Sequence, residues 1–239
     1  DWPREKYEAL IHEFSPVKYY PEKWVLLAKQ AGMKYICFTT KHHDGFALFK
    51  SDADSYNCYD FSPFKRDIIK ELSDACRKYG LKFGIYYSQD LDWHEYHGGG
   101  YLSRHIPCSG VSWDNSWDFP SVDDKDFSIC FEKKILPQIE EIMTNSGDVF
   151  LAWFDVPMTI NAEQSRRIYD TVKRLQPHCL INSRLGNGAY DYVSLGDNEI
   201  PASREEWERL SKVDPDTVNY QNICGFKPCK YGLYEAACT

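Results

Sequence analysis

The sequence is poor in the signatures that announce a function. Its nine cysteines are scattered, with no Cys-x-x-Cys pair and no zinc-ribbon spacing. Cys37 and Cys179 sit in strand-like runs, and Cys76 and Cys130 sit on apolar helix faces, so they read as buried free thiols. No Asn-x-Ser/Thr acceptor occurs. Both features point to a reducing, cytoplasmic setting. Because the chain opens on Asp1 rather than Met, a secreted or periplasmic protein with a removed leader fits as well. No apolar run approaches the roughly 18 residues of a membrane span. No Gly-x-Gly-x-x-Gly follows a strand pattern, which counts against a dinucleotide fold. Positive charge is in deficit: 28 Lys and Arg face 36 Asp and Glu, a net charge of -8. Such a surface repels phosphate backbones and anionic lipid, so neither nucleic acid nor a membrane is an expected partner. No internal repeat stands out, and nothing signals an oligomeric state.

Aromatic residues, by contrast, are abundant: 15% of the chain, with 7 Trp and 17 Tyr. Two readings fit, a large aromatic core or a pocket for a flat apolar face such as a sugar ring. The 239 residues suffice for one full core and are few for two, so residues 1–239 read as one domain.

Strand and helix patterns alternate. Residues 21–32 read as a helix opened by Pro21 and stopped by Gly32, with Trp24, Leu27, Ala28 and Ala31 on one face. Lys34-Tyr-Ile-Cys-Phe-Thr-Thr40 is rich in strand formers. Residues 67–80 form an amphipathic helix with Ile68, Leu72, Ala75, Cys76 and Tyr79 inward, and residues 81–88 a second strand. A long aromatic loop, 89–123, contains Gly98-Gly99-Gly100. A helix over 124–145 with a kink at Pro137 precedes a strand over 148–155. Asn161 and Gln164 form a capping box for a helix that runs to Leu175, before Pro177. Strands follow at 179–183 and 192–195. Ser203 and Glu206 cap a short helix around Trp207, and the last strands fall at 218–223 and 234–238.

Repeated strand-helix-strand units imply parallel strands, in either a doubly wound sheet or a β/α barrel. The polar residues favour the barrel, because each strand runs into chemistry: Lys41-His42-His43-Asp44, Gln89-Asp90-Leu91-Asp92-Trp93, Asp155, Arg184 and Gly196-Asp197-Asn198-Glu199. In a barrel those ends converge on one mouth.

Asp155 follows six apolar residues, a costly place for an unpaired carboxylate. It is a strand-end cap, or a nucleophile or base tuned by Arg184. Asp155 and Glu199 on different strand ends fit the acid pair of glycoside hydrolysis. His42 and His43 are neighbours on an extended chain, so their side chains point to opposite sides and cannot easily share a metal. Hydrogen bonding to hydroxyls suits them better. Tyr86, Trp93 and Trp153 are the aromatics nearest the strand ends, and Trp153 shares a side with Asp155.

Together these residues resemble a known family. Thr40-Lys41-His42-His43-Asp44-Gly45-Phe46 resembles the Thr-Lys-His-His-Asp-Gly-Phe signature of the family 29 glycoside hydrolases, the α-L-fucosidases. Lys65-Arg66-Asp67, Tyr86-Tyr87-Ser88 through Asp92-Trp93, and Trp153-Phe154-Asp155 are similar to further motifs of that family; Val156 stands where Gly is usual. The resemblance implies a retaining exo-α-L-fucosidase acting on fucosylated glycans, on a (β/α)8-like barrel, with no metal or organic cofactor. It implies Asp155 as nucleophile and a fucose site lined by His42, His43, Tyr86, Trp93, Trp153 and Arg184. Strand order makes Glu199 the acid/base, with Glu235 of Tyr234-Glu235 as the alternative. No counterpart of the family's Phe-Gly-x-Phe-x-His-Trp-Gly strand precedes Tyr20, and the family's C-terminal β-domain is missing. A barrel truncated at both ends is the expectation. A fucose-binding protein without turnover and a metal-dependent hydrolase are the competing readings.

Overall fold

The computed structural model describes residues 2–101, 115–194, 203, 205, 234 and 235. Its centre is a parallel sheet of α/β type in the order β1 (Tyr35–Lys41), β2 (Lys82–Ser88), β3 (Leu151–Asp155) and β4 (Leu180–Ile181). A single parallel bridge, Asn182 to Tyr192, leads on to β5 (Val193–Ser194), which pairs in parallel with β6 (Tyr234–Glu235). Among the described residues the sheet does not close into a barrel.

The helices form where capping chemistry and apolar spacing agree. After α1 (Arg4–Ala9), α2 (Pro21–Gln30) starts on Pro21. In α3 (Ile68–Tyr79) the Asp67 carboxylate accepts the Lys70 N–H at 2.8 Å, and Gly80 ends the helix. In α6 (Ala162–Leu175) the box is reciprocal: Gln164 N–H donates to Asn161 Oδ1 at 2.9 Å, and Asn161 N–H to Gln164 Oε1 at 3.0 Å.

The sheet's two faces differ sharply. Phe83, Ile85 and Tyr87 of β2, with Ala152 and Phe154 of β3, are buried in one cluster with Ile69 and Leu72 of α3, Ile139 and Ile142 of the next helix, and Ile168 and Val172 of α6. Burying each large apolar side chain there contributes about 1.5–3 kcal/mol. The alternate positions, Tyr86, Ser88, Trp153 and Asp155, lie on the opposite face.

Three expectations need correction. The helix expected over 124–145 begins at α4 (Phe127–Cys130), passes through a π turn (Phe131–Ile135) and continues as α5 (Leu136–Asn145). Pro137 has no N–H to give, and the wider turn just before it accommodates the loss. On α2 the buried side chains are Val25 and Ala28, while Trp24 and Leu27 are exposed, because the helix packs on α3 by its other edge. Cys37 is exposed rather than buried; β1 pairs only with β2 among the described strands, and Cys37, the register partner of Gly84, shares with Tyr35 the face of the sheet that carries Tyr86. Of the last helix only Ser203 and Glu205 are described, and the strand over 218–223 lies outside the described residues.

Candidate active site

Asp155 is the last residue of β3, opposite Ser88 of β2. Its Oδ2 accepts the Tyr86 hydroxyl at 2.9 Å, and its Oδ1 accepts Arg184 Nη1 at 3.0 Å. The ion pair is buried, with side chains 12% and 6% exposed. Neutral amides fix the backbone around it. Gln89 Oε1 accepts the Asp155 N–H at 2.8 Å, and Gln89 Nε2 donates to the Arg184 carbonyl at 2.9 Å. One side chain thus ties the end of β3 to the 3-10 turn Ser183–Leu185 that presents Arg184. Asn182 does the same work one residue earlier, accepting from Phe154 N–H at 2.8 Å and donating to Phe154 O at 3.0 Å. Its amide extends the ladder past the two residues of β4.

Trp153 lies on the same face as Asp155, with the Arg184 guanidinium 4.5 Å from its ring centroid. Tyr86 stacks on Trp153 at 5.2 Å, and His42 stacks on Tyr86 at 5.3 Å and 9°. The His43 ring is 4.1 Å from that of His42. The two imidazoles therefore meet, contrary to the expectation that neighbours point apart. The cause is a register shift at Thr40: Thr39 pairs with Tyr86, but Lys41 pairs with Tyr87. The bulge turns Lys41 to the core face and ends the strand, so His42 and His43 follow outside it, with His43 in a turn closed by Gly45 N–H to His42 O.

The His43 tautomer follows from its partners. Ser88 Oγ donates its one proton to the Leu91 carbonyl at 2.9 Å, so the 2.7 Å contact to His43 Nδ1 requires an Nδ1–H donor. Burial, reinforced by His42, pushes His43 down to about 3. The neutral ring then carries its lone pair on Nε2.

Lys41 Nζ and Lys134 Nζ both contact Asp92 Oδ2, at 3.0 and 2.8 Å, and Lys134 also reaches Asp54 at 2.5 Å. All but Asp54 are fully buried. Burial alone would raise the Asp92 carboxyl; the two ammonium groups overcome it and hold the carboxyl well below the usual range. Asp92 Oδ1 accepts the N–H groups of His94 and Glu95, which shapes the loop carrying Trp93. Trp93 N–H donates to His43 O at 2.7 Å, and its ring lies edge-on to His43 at 5.8 Å. On its far side Trp93 walls a cavity of about 440 Å³ with Tyr7, Asp44, Tyr56, His94 and Trp117.

The structure thus brings together Asp155, Tyr86, Arg184, Trp153, His42, His43 and Trp93. Glu235 joins them by one side: its Oε2 accepts the Trp153 indole N–H at 2.6 Å and the Tyr192 hydroxyl at 3.4 Å. Glu199 lies outside the described residues. Among the described residues no three His, Cys, Asp or Glu side chains converge as a metal-ligand set.

The sequence profile of the α-L-fucosidase family matches residues 2–230. The chain belongs to the α-L-fucosidase family. The α-L-fucosidase AlfC from Lactobacillus casei, solved in complex with its α-L-fucose product, is 62% identical with a TM-score of 0.80, over 83% of this chain and 62% of AlfC. The α-L-fucosidase from Vibrio sp. strain EJY3 is 32% identical with a TM-score of 0.74, over 83% of this chain and 34% of its own. Alpha-L-fucosidase 1 from Arabidopsis thaliana is 26% identical over 208 residues, covering 84% of this chain and 35% of the plant protein. The chain therefore spans less than two thirds of each of these proteins.

Within this member of the α-L-fucosidase family three of the signature stretches meet physically, through the stack of His42, Tyr86 and Trp153. Gln89, Asn182 and Lys134 are structural supports that the signatures do not mark. Gln89 had a signal in the sequence, since it directly follows a strand that runs into chemistry. Asn182 and Lys134 had none.

Proposed function

We propose that this chain is the catalytic domain, residues 1–239, of a retaining exo-α-L-fucosidase that releases terminal α-L-fucose from fucosylated glycans. One observation carries the reading: a buried strand-end carboxylate, Asp155, is oriented through both oxygens and sits beside a wall of stacked aromatic rings. In this account Asp155 attacks the anomeric carbon and forms a glycosyl-enzyme while a second carboxyl protonates the departing oxygen. Water then attacks the same carbon, the second group takes its proton, and the sugar leaves with its original configuration.

The fucose ring rests its apolar face on Trp153 and Tyr86. Its hydroxyls meet His42, His43 Nε2 and Arg184, with Trp93 closing the far side. That AlfC, at 62% identity, is solved with α-L-fucose as product supports this assignment. The general acid is assigned to Glu199, ahead of Glu235. Glu235 is given a different part, since its carboxylate already holds the Trp153 indole. The (β/α)8-like barrel is proposed because α3, α5 and α6 pack in one core cluster on one face of the sheet, whereas a doubly wound sheet covers both.

The test is proton NMR of the sugar first released from 4-nitrophenyl α-L-fucoside. α-L-Fucose as the first product is expected. The β-anomer would make the enzyme inverting and Asp155 a base, and no release would end the hydrolase reading.

A further inference from the structure

Asp90 stands apart from the sugar-facing set. It is fully buried, and its Oδ2 accepts three successive backbone N–H groups, from Met158 at 2.9 Å, Thr159 at 2.6 Å and Ile160 at 2.7 Å. Amides converging in this way form an anion-binding concavity. Burial pushes the Asp90 carboxyl up to about 6 against the pull of those amides, so at neutral pH the group held there is the anion.

The other oxygen, Oδ1, has no hydrogen-bond partner among the described residues and lies against Gly99. A Cβ at that position would fall 1.9 Å from it, so no other residue fits without moving the carboxylate. Gly99 N–H donates to the Asp90 carbonyl at 2.8 Å, and Gly100 N–H to Thr159 Oγ1 at 2.7 Å. The glycine run thus lies over the carboxylate and the turn it holds.

That turn is one the backbone resists. Val156, directly after Asp155, has φ +52°, a conformation β-branched residues rarely adopt. It also precedes Pro157, which drives its neighbour towards extended backbone. Pro157 in turn packs where a Cβ on Gly186 would come within 2.8 Å, just beyond the Arg184 turn. Released from its anchor, Val156 would relax towards negative φ and swing the end of β3.

We propose that Asp90 is a positioning residue: its carboxylate locks the 156–160 turn, holds Val156 in the left-handed region, and thereby fixes the direction in which Asp155 faces the sugar. The proposal rests on Asp155 being the nucleophile. It extends that reading to a residue that touches neither substrate nor Asp155, and it assigns the Gly98-Gly99-Gly100 run a task.

The experiment is a kinetic cycle on the whole protein. Asp90→Asn keeps an acceptor oxygen and removes the charge. It is expected to lower kcat on 4-nitrophenyl α-L-fucoside by about tenfold with KM within about twofold, since alignment for attack is lost rather than binding. In a Val156→Gly background the same change should cost no more than about threefold, because glycine occupies positive φ without penalty. Gly99→Ala, which drives a methyl onto Oδ1 and against the Asp90 carbonyl while keeping that residue's charge, should repeat both results even if Asp90→Asn does not fold. Equal losses with and without the Val156→Gly change would overturn the proposal, as would a change confined to KM or wild-type kcat in both variants. An unimpaired Asp155→Ala would overturn the nucleophile reading, and this proposal with it.

Discussion

Tyr86 and Trp153 are register partners across β2 and β3, and their rings stack with centroids 5.2 Å apart. The stack runs on through His42 at one end and the Arg184 guanidinium at the other. Parallel pairing at one level of the sheet therefore produces a continuous π wall beside Asp155. Tyr86 also has a polar task, because its hydroxyl donates to Asp155 Oδ2.

These two tasks separate in mutants. Tyr86→Phe keeps the stack and loses one hydrogen bond to a carboxylate, a change of about 1.5–3 kcal/mol, or roughly 10–100-fold in kcat/KM. Tyr86→Ala also breaks the wall and should raise KM further. Steady-state kinetics on an aryl α-L-fucoside would show this. A Phe variant equal to wild type would mean that the bond to Asp155 plays no part in turnover.

His43 should shape stability rather than the activity profile. Its folded-state value, pushed down to about 3, lies below the roughly 6.5 of an unfolded histidine. Between those values the unfolded chain binds the extra proton, so the His43 contribution is intact above about pH 6.5 and is lost as pH falls towards 3. Urea denaturation across this range should give a shallower pH dependence for His43→Asn than for wild type. Parallel curves for the two proteins would contradict the buried, neutral imidazole.

Lys134→Met should be among the most damaging changes remote from the sugar wall. Lys134 serves the two acids Asp92 and Asp54, and Asp92 and the lysine are buried. Removing one member of such a group leaves uncompensated charge and costs about 3–5 kcal/mol. Loss of the Asp92 geometry should also change the surroundings of Trp93, read as a shift in tryptophan fluorescence. A thermal midpoint within about a degree of wild type would refute this role.

Much of the site is legible from the sequence because strand ends are legible. Asp155, Arg184 and the His42-His43 pair each close an apolar, β-rich run, and the period of two sets Trp153 beside Asp155. What escapes depends on departures from regular geometry. The bulge at Thr40 brings the two imidazoles together, and nothing in Phe-Thr-Thr-Lys marks it. Nothing in the sequence marks Lys134, which sits in the π turn before Pro137 and reaches inward to Asp92. The buried face of α2 is hidden in the sequence because Trp24 and Leu27 are apolar yet exposed, whereas Val25 and Ala28 are buried. Gln89 and Asn182 act on backbone atoms brought close only by the fold.

The central claim is that Asp155 forms a covalent bond to the sugar. Incubation with 2-deoxy-2-fluoro-α-L-fucosyl fluoride slows both steps and should accumulate the glycosyl-enzyme, since the fluorine destabilises the oxocarbenium-like transition states. Peptide mass spectrometry should then find the fluorosugar on Asp155 in Trp153-Phe154-Asp155. A label on Glu235, on the 196–199 segment or on any other residue, or full inactivation with no adduct, would contradict the account.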